Sequence, residues 1–159
     1  MKNIIKVEYN GVELGAIIRS TYHNSGIGFF SNDNDGLQLG YMNRPDDYII
    51  LPHTHNKIKR EVFFTEEILF IRSGMIRVDF YDDNQQYIES YIVRSGDIVI
   101  LKSGGHGFKV IERADIFEVK QGPYLGTLDK IRFESIADSM ANIIAVSYTH
   151  LTLPTSDLV

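Results

Sequence analysis

Turn-forming residues interrupt this chain at short, regular intervals, and that punctuation leaves room for strands but for little helix. Asn10-Gly11, residues 31–36 (SNDNDG), Arg44-Pro45-Asp46-Asp47, Ser73-Gly74, residues 82–86 (DDNQQ), 94–97 (RSGD) and 103–107 (SGGHG) carry the Gly, Pro, Asn, Asp and Ser that bend a backbone. Between them lie runs rich in Ile, Val, Phe and Tyr, at 3–9, 12–19, 26–31, 37–43, 48–55, 62–72, 75–81, 87–93, 98–101, 108–112 and 116–120. Asn-Gly between two such runs predicts a hairpin over the first two. Ser73-Gly74 predicts another, with 75–81 pairing back on 62–72, and Arg77 and Asp79 alternating with Ile76, Val78 and Phe80. About ten short strands with turns roughly every eight to twelve residues indicate an all-β sandwich or barrel. Only residues 134–144 (ESIADSMANII) read as helical.

Composition narrows the class. At 159 residues the chain suffices for one domain with one core. We place that domain at 1–133, with a short helix at 134–144. A net charge of −5 with both signs interspersed argues against a nucleic-acid partner. Neither a signal-peptide core nor a run of membrane-spanning length is evident, and cysteine is absent; a cytoplasmic protein with no membrane or nucleic-acid partner is the expectation. Residues 145–155 (AVSYTHLTLPT) resemble one reading-frame translation of a transposase-type sequencing adapter, so 145–159 is set aside as a non-native tail, and His150 with it.

Of five histidines, three fall into one pattern. His53 and His55 are two apart, a spacing that puts both rings on one face of a strand. Glu67 alternates with Leu69 and Ile71 onto an otherwise apolar face, where a carboxylate must be paired or metal-bound. His106 stands among glycines that let the backbone bend inward. Three imidazoles and a carboxylate suit one divalent transition metal: Fe, Mn, Zn, Ni or Co. His23 has no evident partner. The acids of residues 31–36 invite a calcium-loop reading, but counted from Asn32 the twelfth position is Asn43, not Glu, and no flanking helix is visible; a solvated turn is the plainer account.

These residues resemble the cupin family. His53-Thr54-His55 and Glu67, with six residues between it and Gly74, are similar to the first cupin motif. Gly96, Gly104 and His106 follow the second, with Lys102 where proline is expected, the histidine one position early, and Val110 in place of the closing asparagine. Residues 56–66, between His55 and Glu67, exceed the usual three or four. The resemblance implies a jelly-roll-like cupin barrel of antiparallel strands. It also implies a metal held by His53, His55, Glu67 and His106, and an enzyme of isomerase, epimerase or Fe(II) dioxygenase type acting on a small polar, sugar-like or anionic molecule in carbohydrate metabolism. A non-catalytic metal-dependent binding module is the alternative.

Further residues are two-sided. Lys57, Lys59 and Arg60 either rim the pocket and receive a phosphate or carboxylate, or face water on a solvated loop. Glu118 and Lys120 share a strand face: turned inward they handle protons as catalytic residues, and otherwise they form an ion pair at the barrel edge. Tyr124 either lines the mouth and binds substrate or covers the barrel end. The Ile- and Val-rich residues 3–19 either extend the sheet of a second copy, giving a homodimer, or pack on their own barrel.

Overall fold

The structure, a computed structural model, describes residues 3–145. Residues 146–159, which hold nearly all of the adapter-like tail and His150, lie outside the described residues.

Eight strands form two antiparallel sheets. β1 (Ile4–Tyr9) and β2 (Val12–Ile18) are the hairpin read from Asn10-Gly11. Both turn residues have positive φ, 50° and 78°, as a two-residue turn between right-twisted strands requires. β3 (Gly26–Phe29) and β4 (Gly40–Asn43) make a small separate sheet. β5 (Glu67–Tyr81) is the spine of the larger one. Along one side it pairs with β6 (Tyr87–Arg94) and then β7 (Ile98–Leu101); along the other it pairs with β8 (Gly105–Lys120) over its whole length. β2 joins β7, giving the order β1-β2-β7-β5-β6 with β8 beside β5.

Two pairs of predicted strands are therefore single long strands. Ser73-Gly74 does not reverse the chain. It sits within β5 at a series of register shifts between Ile71 and Ile76. Gly74 has φ +81°, and a Cβ there would run into the Arg113 carbonyl oxygen of β8. A glycine in the left-handed region serves a bulge as well as a turn. Residues 108–112 and 116–120 likewise merge into β8.

The bulge bends the sheet over on itself. Glu67 is in register with Leu101 and Lys120, whereas thirteen residues on, Phe80 is in register with His106. A straight strand would separate the two positions by about 40 Å. Instead the Phe80 ring lies against Gly15, which pairs with Leu101. β1, β2, β7 and the first half of β5 thus face β6 and the second half of β5. Val7, Leu14, Ile17, Leu69 and Ile71 pack there against Ile76, Val78, Phe80, Tyr91 and Val93. The sheet is a curled half-barrel whose open side lies along β8. A smaller cluster, Ala16, Ile18 and Ile100, packs outside the main core with Tyr22, Phe30 and Leu39.

Residues 134–144 are not helical beyond one 3-10 turn, Asp138–Met140. They form a strap fastened by groups a helix could not reach. Ile136 N donates to the Tyr81 hydroxyl at 2.9 Å and Asn142 N to the Tyr87 hydroxyl at 2.8 Å. Ser90 exchanges backbone bonds with Asn142 and Ile144, each at 2.9 Å. Tertiary partners override a modest helical propensity here. Beside the strap, Arg77 and Asp79 are buried as a bidentate pair, at 2.7 and 3.0 Å, with Asp138 on the remaining guanidinium face at 2.9 Å.

Residues 44–66 contain no strand, so the expected strand at 48–55 is absent, as is the first part of the one at 62–72. No sheet edge receives them among the described residues, although Ile49, Ile50 and Leu51 have strand-forming side chains.

Candidate functional site

Glu67 opens β5 and is 6% exposed, on one face with the buried Leu69 and Ile71 as its alternation requires. Its Oε2 lies 3.1 Å from His106 Nε2, brought across by the bend in the sheet. The bond from His106 holds the Glu67 carboxyl below the usual carboxylate range. It outweighs burial, which acts in the opposite sense, and is helped by the charges of His106, Lys130 and Lys120. His106, in register with the buried Phe80, faces the interior, its ring 5.5 Å from that of Phe108.

β8 adds a second pair. Glu118 is directly opposite Leu69, and Lys120 is opposite Glu67. Cross-strand partners project to one face, so Glu118 and Lys120 face the same side as Glu67. Lys120 Nζ is 3.9 Å from Glu118 Oε1, 3.5 Å from Asp129 Oδ2 and 5.4 Å from the Tyr124 ring centre. The Glu118 side chain is 46% exposed and that of Lys120 23%, so the ion pair lies at the open edge of the sheet. Phe108 and Val110 continue this row opposite the fully buried Val78 and Ile76, yet are 42% and 59% exposed. The interior thus opens to solvent beside Glu67 and His106.

His53 and His55 stand apart from this group, on the exposed segment 44–66. Their rings are 5.2 Å apart, edge to face. His53 Nδ1 is 3.1 Å from the Leu51 carbonyl. When Nδ1 carries the proton it donates to that oxygen, and Nε2 keeps the lone pair a metal needs. Among the described residues no three His, Asp or Glu side chains gather closely enough to hold an ion. The four proposed ligands are thus placed as two pairs.

The spacing in the first pair fits a metal. Two donors at about 2.1 Å from one ion, at right angles, are about 3 Å from each other. The 3.1 Å between Glu67 and His106 therefore suits two neighbouring positions of a coordination shell as well as a direct hydrogen bond. The donor set, carboxylate oxygen and imidazole nitrogen, suits the same divalent ions as before.

The remaining residues take varied places. Lys57, Lys59 and Arg60 lie on the exposed segment, Lys59 paired with Glu61 at 2.5 Å. Tyr124 is 73% exposed beneath Lys120. His23 lies 3.4 Å from the Tyr41 hydroxyl and from Asn43 Nδ2. Lys102, at the position where the cupin motif has proline, is buried between Glu13 and Asp35, 2.7 Å from each. Asp35 is thereby the acid that ties the 31–36 turn to the sheet. Glu66 does similar work, accepting from the Gly36 and Leu37 amides at 3.0 and 2.9 Å. Asp129 and Lys130 carried no sequence signal, because they reach the site only through the 3-10 turn Gly126–Asp129.

Comparisons with protein-family models, with curated proteins and with solved structures find no match for this chain. Among the described residues no helix is long and apolar enough to cross a membrane.

Proposed function

We propose that this chain is a metal-dependent cupin-type enzyme acting on a small polar substrate, sugar-like or anionic. One divalent transition metal would be held by Glu67 and His106, with His53 and His55 completing the set. The observation that carries the reading is the buried Glu67 carboxylate set against His106 Nε2 at the open side of the half-barrel. An unpaired carboxylate is costly there, and the charged carboxylate that the pairing favours is the form that binds a cation.

A bound divalent ion would polarise a substrate oxygen. The chain's own residues favour the isomerase or epimerase branch over the dioxygenase branch. Glu118 and Lys120 project onto the Glu67 face, so a carboxylate able to take a proton from a substrate carbon sits beside an ammonium able to orient an anionic group.

Elemental analysis of protein purified without added metal tests the reading. A stoichiometric divalent metal is expected, lost in Glu67→Ala and His106→Ala while circular dichroism still reports a folded β-protein. Metal content equal to the parent's in either variant refutes the ligand assignment. Iron as the resident metal would move the reading to oxygen chemistry. A metabolite bound but never transformed would move it to a binding module.

A further inference from the structure

The two halves of β8 line the open side of the half-barrel. Ile116, Glu118 and Lys120 lie opposite Ile71, Leu69 and Glu67 on one wall; His106, Phe108 and Val110 lie opposite Phe80, Val78 and Ile76 on the other. The walls meet where Glu67 and His106 come within 3.1 Å. The chain that follows β8 passes from the first wall to the second. It leaves at Lys120, and the Gln121 side-chain oxygen accepts from the Glu66 amide at 2.5 Å. At the far side Phe133 stands edge to face on the Tyr81 ring, 5.0 Å between centres, against Gly105.

Between these fixed points residues 122–128 make a loop closed at its base. Asp129 Oδ2 returns to 3.5 Å from Lys120 Nζ, so both ends of the loop sit beside the residue opposite Glu67. A short loop with joined ends is an Ω-loop, a form frequently used for function. Little holds this one in place. Among the described residues no backbone hydrogen bond ties 122–128 to the rest of the molecule; Leu128 N donates to Leu125 O, within the loop, at 3.4 Å. Its 3-10 turn buries no residue. A Cβ at Gly122 or Gly126 would meet nothing within 4 Å. A segment with so few contacts moves at low cost. Yet it carries Tyr124, Leu125 and Leu128, which are 73%, 59% and 88% exposed.

We propose that residues 122–128 are a lid, which swings about the Lys120–Asp129 clasp and lays Leu125 and Leu128 on Phe108 and Val110 of the opposite wall. Reach allows it. Half of such a loop extends about 12 Å, and two facing layers of sheet lie about 10 Å apart. Gly126, at φ +66°, and Gly122 are the positions free to turn. Closure takes apolar surface out of water on both sides, since Phe108 and Val110 are themselves 42% and 59% exposed. It also shuts the Glu67–His106 pair away from bulk solvent, as a lid does for chemistry that water would disturb. That service rests on the metal reading above; the movement does not.

The chain has no cysteine, so a pair introduced at the closed contact reports the movement without metal or substrate. Leu128→Cys with Phe108→Cys should form a disulfide within one chain under oxidised glutathione, because closure brings the two Cα atoms into bridging range, about 4.4–6.8 Å. Leu128→Cys with Val110→Cys repeats the test if circular dichroism shows the first pair misfolded. Pairs that stay reduced overturn the proposal. Pairs that link only between chains overturn it too, and make the loop a contact between copies. Cobalt(II), followed by its visible absorption, then tests the service. The oxidised pair should release the ion to EDTA about tenfold or more slower than the reduced pair. Equal release rates overturn the lid. A disulfide that forms in a protein binding no cobalt(II) leaves the movement standing and removes the metal reading.

Discussion

Glu67 Oε2 and His106 Nε2 are 3.1 Å apart, although thirteen residues of a single strand separate Glu67 from Phe80, the ladder partner of His106. The bulge at Ser73-Gly74 makes this possible. The site is therefore coupled to a backbone feature remote from it in sequence, and Gly74 is the place to test that coupling. Gly74→Ala puts a Cβ against the Arg113 carbonyl at φ +81°. Left-handed strain alone costs about 1–3 kcal/mol, and the clash adds to it. Chemical denaturation should show a loss of about 2 kcal/mol or more. Substituting the nearby Gly107, where a Cβ would come no closer than 3.8 Å to the Tyr81 ring and φ is not positive, should cost clearly less. Equal losses at the two glycines would mean the bulge is not what bends the sheet.

What the sequence disclosed follows from how local each signal is. Asn10-Gly11 specifies its turn through its own two φ angles, and the alternation at Glu67, Leu69 and Ile71 specifies a face through three neighbouring residues. Both readings match the structure. Ser73-Gly74 is ambiguous in principle, because a left-handed glycine serves a reversal or a bulge equally; only the ladder to Arg113 and Ala114 decides. Residues 134–144 carry a helical pattern that yields to Tyr81, Tyr87 and Ser90, partners some fifty residues away that no local window contains. Glu67 and His106 were legible as members of one ligand set, but not as two groups in contact, since their meeting depends on a bend. Asp129 and Lys130 arrive from beyond the last strand and could not be read at all.

Lys102 gives the fold a defined pH window. Burial weighs most on the lysine, but its bonds to Asp35 and Glu13 more than offset this and raise its pKa above the ordinary 10.5. Burial is likewise the largest influence on Glu13 and Asp35, and Lys102 reverses it, holding them below 4.5 and 3.8. The depressed carboxylates stabilise the fold above their ordinary values, and that contribution fades as pH falls through the lowered ones. The raised lysine contributes below its ordinary value, and that contribution fades as pH rises through the higher one. Stability should be flat between these limits and fall outside them. Lys102→Met should cost about 3 kcal/mol at neutral pH and flatten the acid limb, measured by urea unfolding across the pH range. An acid limb as steep as the parent's would remove Lys102 as its source.

The strap depends on a buried guanidinium. Asp79 holds Arg77 by two bonds and also accepts from Ser90 Oγ at 2.5 Å. Asp138, more exposed, joins Arg77 to Lys109. Asp79→Ala strands a buried cation and should cost about 3–5 kcal/mol. Asp138→Ala should barely change global stability, yet it should speed hydrogen exchange at the Ile136, Asn142 and Ile144 amides, whose bonds hold the strap down. Unchanged exchange there would show that the tyrosine hydroxyls and Ser90 suffice without the bridge.

Ligands and their neighbours should separate cleanly by metal content. Glu118 and Lys120 share a face with Glu67 but are engaged with each other and with Asp129. A carboxylate that lies near a metal without coordinating it can lose its charge and leave the ion in place. Glu118→Gln and Lys120→Met should therefore keep the parent's metal, whereas Glu67→Gln should lose most of it, since an amide oxygen is a far poorer ligand than a carboxylate. His53→Ala and His55→Ala should behave like Glu67→Gln despite their distance from it in the fold. Elemental analysis of the five purified variants reads all of this in one series. Metal lost from Glu118→Gln and kept in Glu67→Gln would exchange the roles of the two acids, and would move the site from the start of β5 to the open row of β8.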